Sequence, residues 1–328
     1  MPSDDDIATR ELVQERAADR AQAVALFSHV RRPARSLGPA ARGLALGIGV
    51  LLLTGCGQLD ELTYQPPTTP EQWCDQRPCV QVGDTVLTEP LGTFLVFLLA
   101  GLWVASGVFF LRTRRGQRSR AWLGVALILG GVGAALAGVS YQAFSYELKC
   151  AGLELCRLTN AWEVGYSVTQ AFSVSAMLIA VAHACTTGRL RRGLIIFAIV
   201  DAVAYAIVTI IGVLMPSAAL LSFAVLMLFA VPVILVVIIV PGRRYLSTRD
   251  PSDRSLVRAA VLLVVVQVAY FAYYAAGITA VVWDDGSGVY FSENDVLHIG
   301  IILWLWYVVA VVGRHLRDAS PGAPADDG

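Results

Sequence analysis

Seven apolar stretches constrain this chain more than any other feature: Leu91–Leu111, Ala121–Tyr141, Val164–Cys185, Gly193–Met215, Ala218–Val240, Ala259–Ile278 and Val296–Val312. Each is about 20 residues long, the length an α-helix needs to cross a hydrocarbon layer roughly 30 Å thick. A backbone in lipid has no water to bond with, so runs of that length are expected as helices that satisfy their own N–H and C=O groups. Composition points the same way, with 56% apolar and 15% charged residues, where a soluble domain carries about 25% charged. The expected fold is all-α, a polytopic membrane protein with a seven-transmembrane helix bundle over 91–313 and a tail over 314–328.

Arginine placement orients the bundle. One set of loops holds Arg112, Arg114, Arg115, Arg118 and Arg120, then Arg189, Arg191 and Arg192, then Arg243, Arg244, Arg249, Arg254 and Arg258, then Arg314 and Arg317. The opposite loops hold Lys149, the only lysine, and Arg157. Basic loops stay on the cytoplasmic side, so the first helix is expected to start outside and the C-terminus to lie inside. The net charge of zero gives no reason to expect nucleic acid as a partner; membrane lipid is the expected surrounding.

Ahead of the bundle, residues 1–56 combine a charged leader, the basic residues Arg31, Arg32, Arg35 and Arg42, and an apolar run Gly43–Leu53. That run is too short to span but has the length of a signal-peptide core. Leu53-Thr54-Gly55-Cys56 resembles the lipobox of bacterial lipoproteins, which implies lipidation at Cys56 and a bacterial cytoplasmic membrane. The alternative is a short extra helix over residues 36–56. Residues 57–90, with Pro66, Pro67, Pro70 and Pro78, are expected as an extracytoplasmic tether. Cys74 and Cys79 are spaced to close a small loop there, and Cys150 and Cys156 to close another between the second and third helices; on an exported face, structural disulfides are expected.

Polar residues inside a membrane bundle are costly and therefore informative. The third helix places Glu163, Tyr166 and Gln170 on one face of its outer half by helical spacing. The second ends with Ser140, Phe144 and Glu147 on one face and Gln142 and Tyr146 on another. The sixth brings Gln267, Tyr270 and Tyr274 along a stripe, and the seventh opens with Asn294, Asp295 and His298. Four helices thus offer polar groups at similar depth, which suggests one water-accessible outer pocket lined by Gln142, Glu147, Tyr166, Gln170, Gln267, Tyr270, Tyr274, Asn294 and Asp295. The alternative is that each face meets lipid headgroups or a neighbouring helix. Asp201, in the fourth helix, is either a buried hydrogen-bonding group or part of a proton path.

Several classes are excluded. With Lys149 as the only lysine, the seventh helix has none for a retinal Schiff base. His183 and His298 lie at opposite depths, so they cannot hold a haem between them. Neither a P-loop, a dinucleotide-binding glycine pattern nor HExxH is present.

Gly138-Val139-Ser140-Tyr141-Gln142 at the end of the second helix, Glu163 at the start of the third and Asn294-Asp295-Val296-Leu297-His298 at the start of the seventh resemble the ceramidase/adiponectin-receptor superfamily. The resemblance implies a seven-helix membrane hydrolase in which zinc-activated water attacks a lipid amide. Carried over, Ser140, Glu163 and His298 match in type and place, whereas Gln142 or Phe144 and Asn294 stand where two histidine ligands belong. The zinc set is incomplete, since such sites use about three protein ligands. Two functions are therefore expected as alternatives. One is a non-enzymatic sensor or binding protein whose outer polar pocket takes a lipid or small molecule. The other is a divergent metal-dependent lipid amidase with Ser140, Glu163 and His298 as catalytic residues and His298 as metal ligand.

Overall fold

The computed structural model describes residues 56–284 and 290–319. The charged leader, the apolar run Gly43–Leu53, the lipobox residues before Cys56 and the tail from Ser320 lie outside the described residues; Cys56 opens a short helix, Cys56–Leu59. Among the described residues seven helices are long and apolar enough to cross a membrane: α1 Pro90–Arg112, α2 Arg118–Ala143, α3 Ala161–Cys185, α4 Gly188–Leu214, α5 Phe223–Thr248, α6 Pro251–Ala275 and α7 Glu293–His315. The chain is an all-α multi-pass membrane protein.

Most helices outrun their apolar stretches because polar caps, not hydropathy, decide where they start. Asn160 accepts from the backbone N–H of Trp162 and Glu163 at the head of α3. Asp250 caps α6 with Pro251 at the first helical position, two turns before the apolar run begins. Ser292 and Asp295 form a reciprocal capping box at the head of α7. At α5 the effect is reversed: Ser222 caps a helix that begins five residues after Ala218, since Pro216 and the turn behind it intervene.

Packing follows the small residues. On α2, a side chain at Gly130 would collide with Trp103 at 2.8 Å, one at Gly131 with Val104 at 2.7 Å, and one at Gly138 with Val96 at 2.6 Å. Gly107 and Gly124 bring the backbones of α1 and α2 into direct contact, a Cβ at Gly107 falling 2.6 Å from the Gly124 carbonyl oxygen. The helices pack in the order α1, α2, α3, α5, α6, α7, and α7 returns to α1, so six of them form a closed ring. The fourth helix sits outside that ring, mainly against α3. The third is the most buried of the seven and α6 the least. A continuous core of Leu99, Trp103, Phe110, Leu127, Val181, Trp304 and Val312 runs towards the arginine-rich end. Ile196, Val200, Leu228, Val265, Val268 and Trp306 point outward, where lipid replaces protein as their partner.

At the opposite end residues 57–90 fold into a cap rather than running extended. A helix Pro70–Asp75, boxed by Thr69 and Gln72, leads into a hairpin of β1, Cys79–Val82, and β2, Thr85–Thr88. Gly83 supplies the positive φ of +62° that the two-residue turn demands. Both expected disulfides are formed, Cys74–Cys79 and Cys150–Cys156. Trp73 packs against the second of them, and Cys156 and Leu158 donate backbone hydrogen bonds to Thr68 and Leu62 at 2.8 and 2.7 Å. The cap is thereby fastened to the α2–α3 loop.

Candidate functional site

The last two turns of α2 depart from α-geometry. Gly138–Ala143 is a π-turn, with Phe144 N–H reaching back five residues to the Val139 carbonyl at 3.0 Å. One extra residue in the turn rotates the register, so Ser140 and Gln142 are both buried and Phe144 is exposed. Ideal helical spacing assigns Ser140 and Gln142 to different faces; the π-turn brings both inward, the kind of local irregularity often found at functional sites. Two separate constellations result.

The first surrounds Lys149, which is 1% exposed. Its ammonium pairs with the Glu163 carboxylate and donates to Tyr64 Oη at 2.9 Å and the Leu158 carbonyl at 3.3 Å. Three donors thus have three acceptors. Tyr141 and Tyr64 turn their rings towards the ammonium, with centroids 5.0 and 5.4 Å away. Ser140 Oγ donates to Glu163 Oε1 at 2.9 Å and accepts from Asn160 Nδ2 at 2.7 Å. Every charged group in this knot is neutralised and every hydroxyl is engaged, the condition under which a buried ion pair is tolerated. The adjoining cavity, lined in part by Tyr141, Glu163, Tyr166 and Ser167, measures about 30 Å³, roughly the room of one water.

A second constellation centres on Gly92 in the first turn of α1. A Cβ placed there would lie 3.2 Å from Asp295 Oδ1, 3.4 Å from Gln142 Cγ and 3.5 Å from Glu89 Oε2. Three helices and the end of β2 meet at this point. Glu89 is buried and holds a left-handed φ of +46°, a strained setting for a residue with a Cβ. Its Oε1 accepts from Arg77 Nη1 and from the Tyr290 hydroxyl, both at 3.4 Å. Burial pushes its carboxyl up to about 7; Arg77 opposes the rise, while Asp295 and Glu293 add to it. Asp295 is fully buried, and Ser292 donates its N–H to Oδ2 at 2.7 Å. Asp295 Oδ1 and Gln142 Oε1 have no hydrogen-bond partner. Two buried acceptors of the cluster are thus left unpartnered.

The expected site residues distribute as follows. Ser140 and Glu163 are joined, but among the described residues no hydrogen bond or ion pair links either to His298, whose Nδ1 is buried without a partner. Gln142 and Asp295 belong to the Gly92 cluster. Glu147 accepts from Val86 N–H at 2.7 Å and so fixes the hairpin. Tyr166 packs edge-on against Tyr141 with centroids 6.0 Å apart. Gln170 faces Gly133. Gln267 Oε1 is buried and unpartnered, Tyr270 packs against Phe271, and Tyr274 is 64% exposed. Asn294 is half-buried in the first turn of α7, and Asp201 is half-buried on the peripheral α4. The nine expected pocket residues do not converge on one chamber. Zinc fits poorly, since no three His, Cys, Asp or Glu side chains among the described residues are grouped to hold a metal ion.

No family model, curated protein or solved structure matches the chain. The site is read from its own residues. Sequence reasoning passed over Glu89, Arg77 and Tyr290; the available signal for the first was an acid directly before Pro90, at the start of a spanning helix. The second and third come from the cap and from the loop before α7, and nothing in their spacing announces them.

Proposed function

We propose that the protein is a non-enzymatic binding or sensory protein of the bacterial cytoplasmic membrane, its disulfide-bearing cap outside, anchored by lipidated Cys56 and its C-terminus inside. In place of the lipid or small molecule expected from the sequence, the ligand proposed here is a small cation, a proton or monovalent ion, held by Glu89, Gln142 and Asp295. The observation that carries this reading is the meeting at Gly92 of Asp295 Oδ1, which is buried without a partner, with Glu89 Oε2 and the side chain of Gln142. With Glu89, Glu293 and Asp295 ionised, Arg77 is the one cation among the described residues that pairs with the group, so taking up a positive charge relieves both the desolvation and the mutual repulsion. The test is thermal unfolding of detergent-purified protein at pH 8 and constant ionic strength, in sodium, potassium or choline chloride. Saturable stabilisation by sodium or potassium over choline, abolished by Asp295→Asn, is the expected result. Equal midpoints in all three salts, with no uptake of a proton between pH 5 and 8, end the proposal.

The amidase alternative draws on the Ser140–Glu163 hydrogen bond alone. It requires lipid-amide turnover that His298→Ala removes while the fold survives.

A further inference from the structure

At the arginine-rich end, the inner termini of α1, α2, α6 and α7 border an open polar cavity of about 560 Å³, within the roughly 300–1,000 Å³ typical of ligand sites. Arg115, Arg120, Arg314, His315 and Arg317 line it, against the single carboxylate of Asp250. That carboxylate is already committed: it accepts from Ser252 N–H at 2.8 Å and pairs with Arg317 at 2.9 Å. The neighbouring acid Asp318 is turned to the head of α2, where Arg118 and Ser119 N–H donate to it at 2.9 and 2.8 Å. Among the described residues Arg115, Arg120 and Arg314 have no ion-pair partner.

Arginines collect on the inner side of any multi-pass protein, where they ordinarily extend into water. Arg120 does not: it is 8% exposed. Its Nη1 donates to the Gly313 carbonyl at 2.6 Å and its Nη2 to Thr113 Oγ1 at 2.7 Å. Both contacts are neutral, so the guanidinium is held in place without being neutralised. Its Nε and the hydroxyl of Ser252, 4% exposed, are buried with no partner, and both residues line the same cavity. A buried, oriented cation with spare donors is costly unless an anion completes it.

We infer that this cavity binds a phosphate group, gripped by Arg120 and Ser252 at its wall and by Arg115 and Arg314 at its mouth. Guanidinium forks match the phosphate oxygens in geometry as well as charge. Two sources share that chemistry: the headgroup of an anionic lipid, which basic pockets between helix ends are suited to hold, and a soluble phosphorylated molecule.

The experiment uses full-length protein in neutral detergent. Inorganic phosphate is titrated by calorimetry, and in parallel phosphatidic acid or phosphatidylcholine is added and retained lipid is read by native mass spectrometry. Saturable binding of inorganic phosphate, weakened tenfold or more in Arg120→Gln, supports a soluble ligand. Selective retention of phosphatidic acid without measurable inorganic phosphate binding, lost in the same variant, supports a lipid headgroup. Because Arg120 also ties α2 to α7, the pair Arg115→Gln/Arg314→Gln, both exposed, is measured beside it and is expected to weaken binding at least fivefold with an unchanged melting temperature. Absence of both kinds of binding, or affinities unaltered in the double variant, overturns the inference.

Discussion

The two ends of the bundle handle buried charge in opposite ways. Around Lys149 the cap closes on itself: one cation meets one anion, the spare donors find a phenol and a carbonyl, and about 30 Å³ of space remains. Around Arg120 a cation is just as firmly placed, yet it faces about 560 Å³ of polar cavity and neutral partners only. Folding requires that buried charge be satisfied; it does not require that the satisfaction come from the chain itself. The end that satisfies its own charge is built to hold shape, whereas the end that does not is built to accept something. The Gly92 cluster lies between these extremes, being almost closed but left with unpartnered acceptors.

The sharpest way to break this comparison is to strand one charge at each end. Lys149→Met leaves Glu163 buried without its cation and is expected to cost about 3–5 kcal/mol in denaturant unfolding. Arg120→Gln leaves no buried anion behind, so its cost should be less than half as large. Equal costs would mean that Arg120 has a structural role of the same kind as Lys149.

Next comes a pH effect at the Gly92 cluster. Glu89 has its carboxyl raised from an ordinary 4.5 to about 7, so between those values the folded chain binds a proton that the unfolded chain has released. The contribution of Glu89 to stability is therefore fullest below pH 4.5, falls as pH rises towards 7, and levels off above it. The loss amounts to about 3 kcal/mol at most. The groups that face Glu89 are Arg77 from the cap, Tyr290 from the loop before α7, and Glu293 and Asp295 from α7. Glu89→Gln should flatten the pH profile of the melting temperature over this window. A profile of unchanged slope would show that the carboxyl titrates normally and that the cluster is open to water.

Smaller again is the effect of the cap's covalent ties. Cys150 and Cys156 are six residues apart, and a loop that short limits the entropic gain to about 2 kcal/mol. Cys150→Ser/Cys156→Ser should lower stability by about that amount and loosen Trp73, which packs on the bridge, as read by its fluorescence. The phosphate affinity of the arginine-rich end should not change. If it did, the two ends would not be independent.

How much of this was readable in advance depends on the physics at each place. The seven spans were legible because hydrophobic length is a one-dimensional property, and both cysteine pairs were legible because each cysteine had a single near neighbour. The pairing of Ser140 with Glu163 was also within reach, since both sit where α2 and α3 meet the cap. Ser140 and Gln142 do serve different clusters, as helical spacing implies, but that both are buried is not legible, because the count of 3.6 residues per turn breaks at the π-turn Gly138–Ala143. In the sequence Lys149 is only the lone lysine of an outer loop, and its burial depends on Tyr64 and Trp73 from a segment whose prolines suggest an extended tether. Arg120 was one of many loop arginines. Only the return of α7 past α2, which supplies the Gly313 carbonyl, separates it from the rest.

The smallest expected effect is the most discriminating one. Gly92→Ala adds a methyl group whose nearest neighbour would be Asp295 Oδ1 at 3.2 Å, a contact that a shift of a few tenths of an ångström relieves. Alanine gains up to about 1 kcal/mol over glycine within a helix, though less in the first turn, so the net change in stability should fall within about 1 kcal/mol of zero. Gly107→Ala offers a contrast, because there the added atom would lie 2.6 Å from the backbone carbonyl oxygen of Gly124, and two packed helices would have to part. If the space beside Gly92 is a binding site, its alanine variant will fold as well as the parent but lose the sodium- or proton-dependent stabilisation. Should it retain that stabilisation in full, the acceptors around Gly92 belong with the closed, shape-holding knot at Lys149.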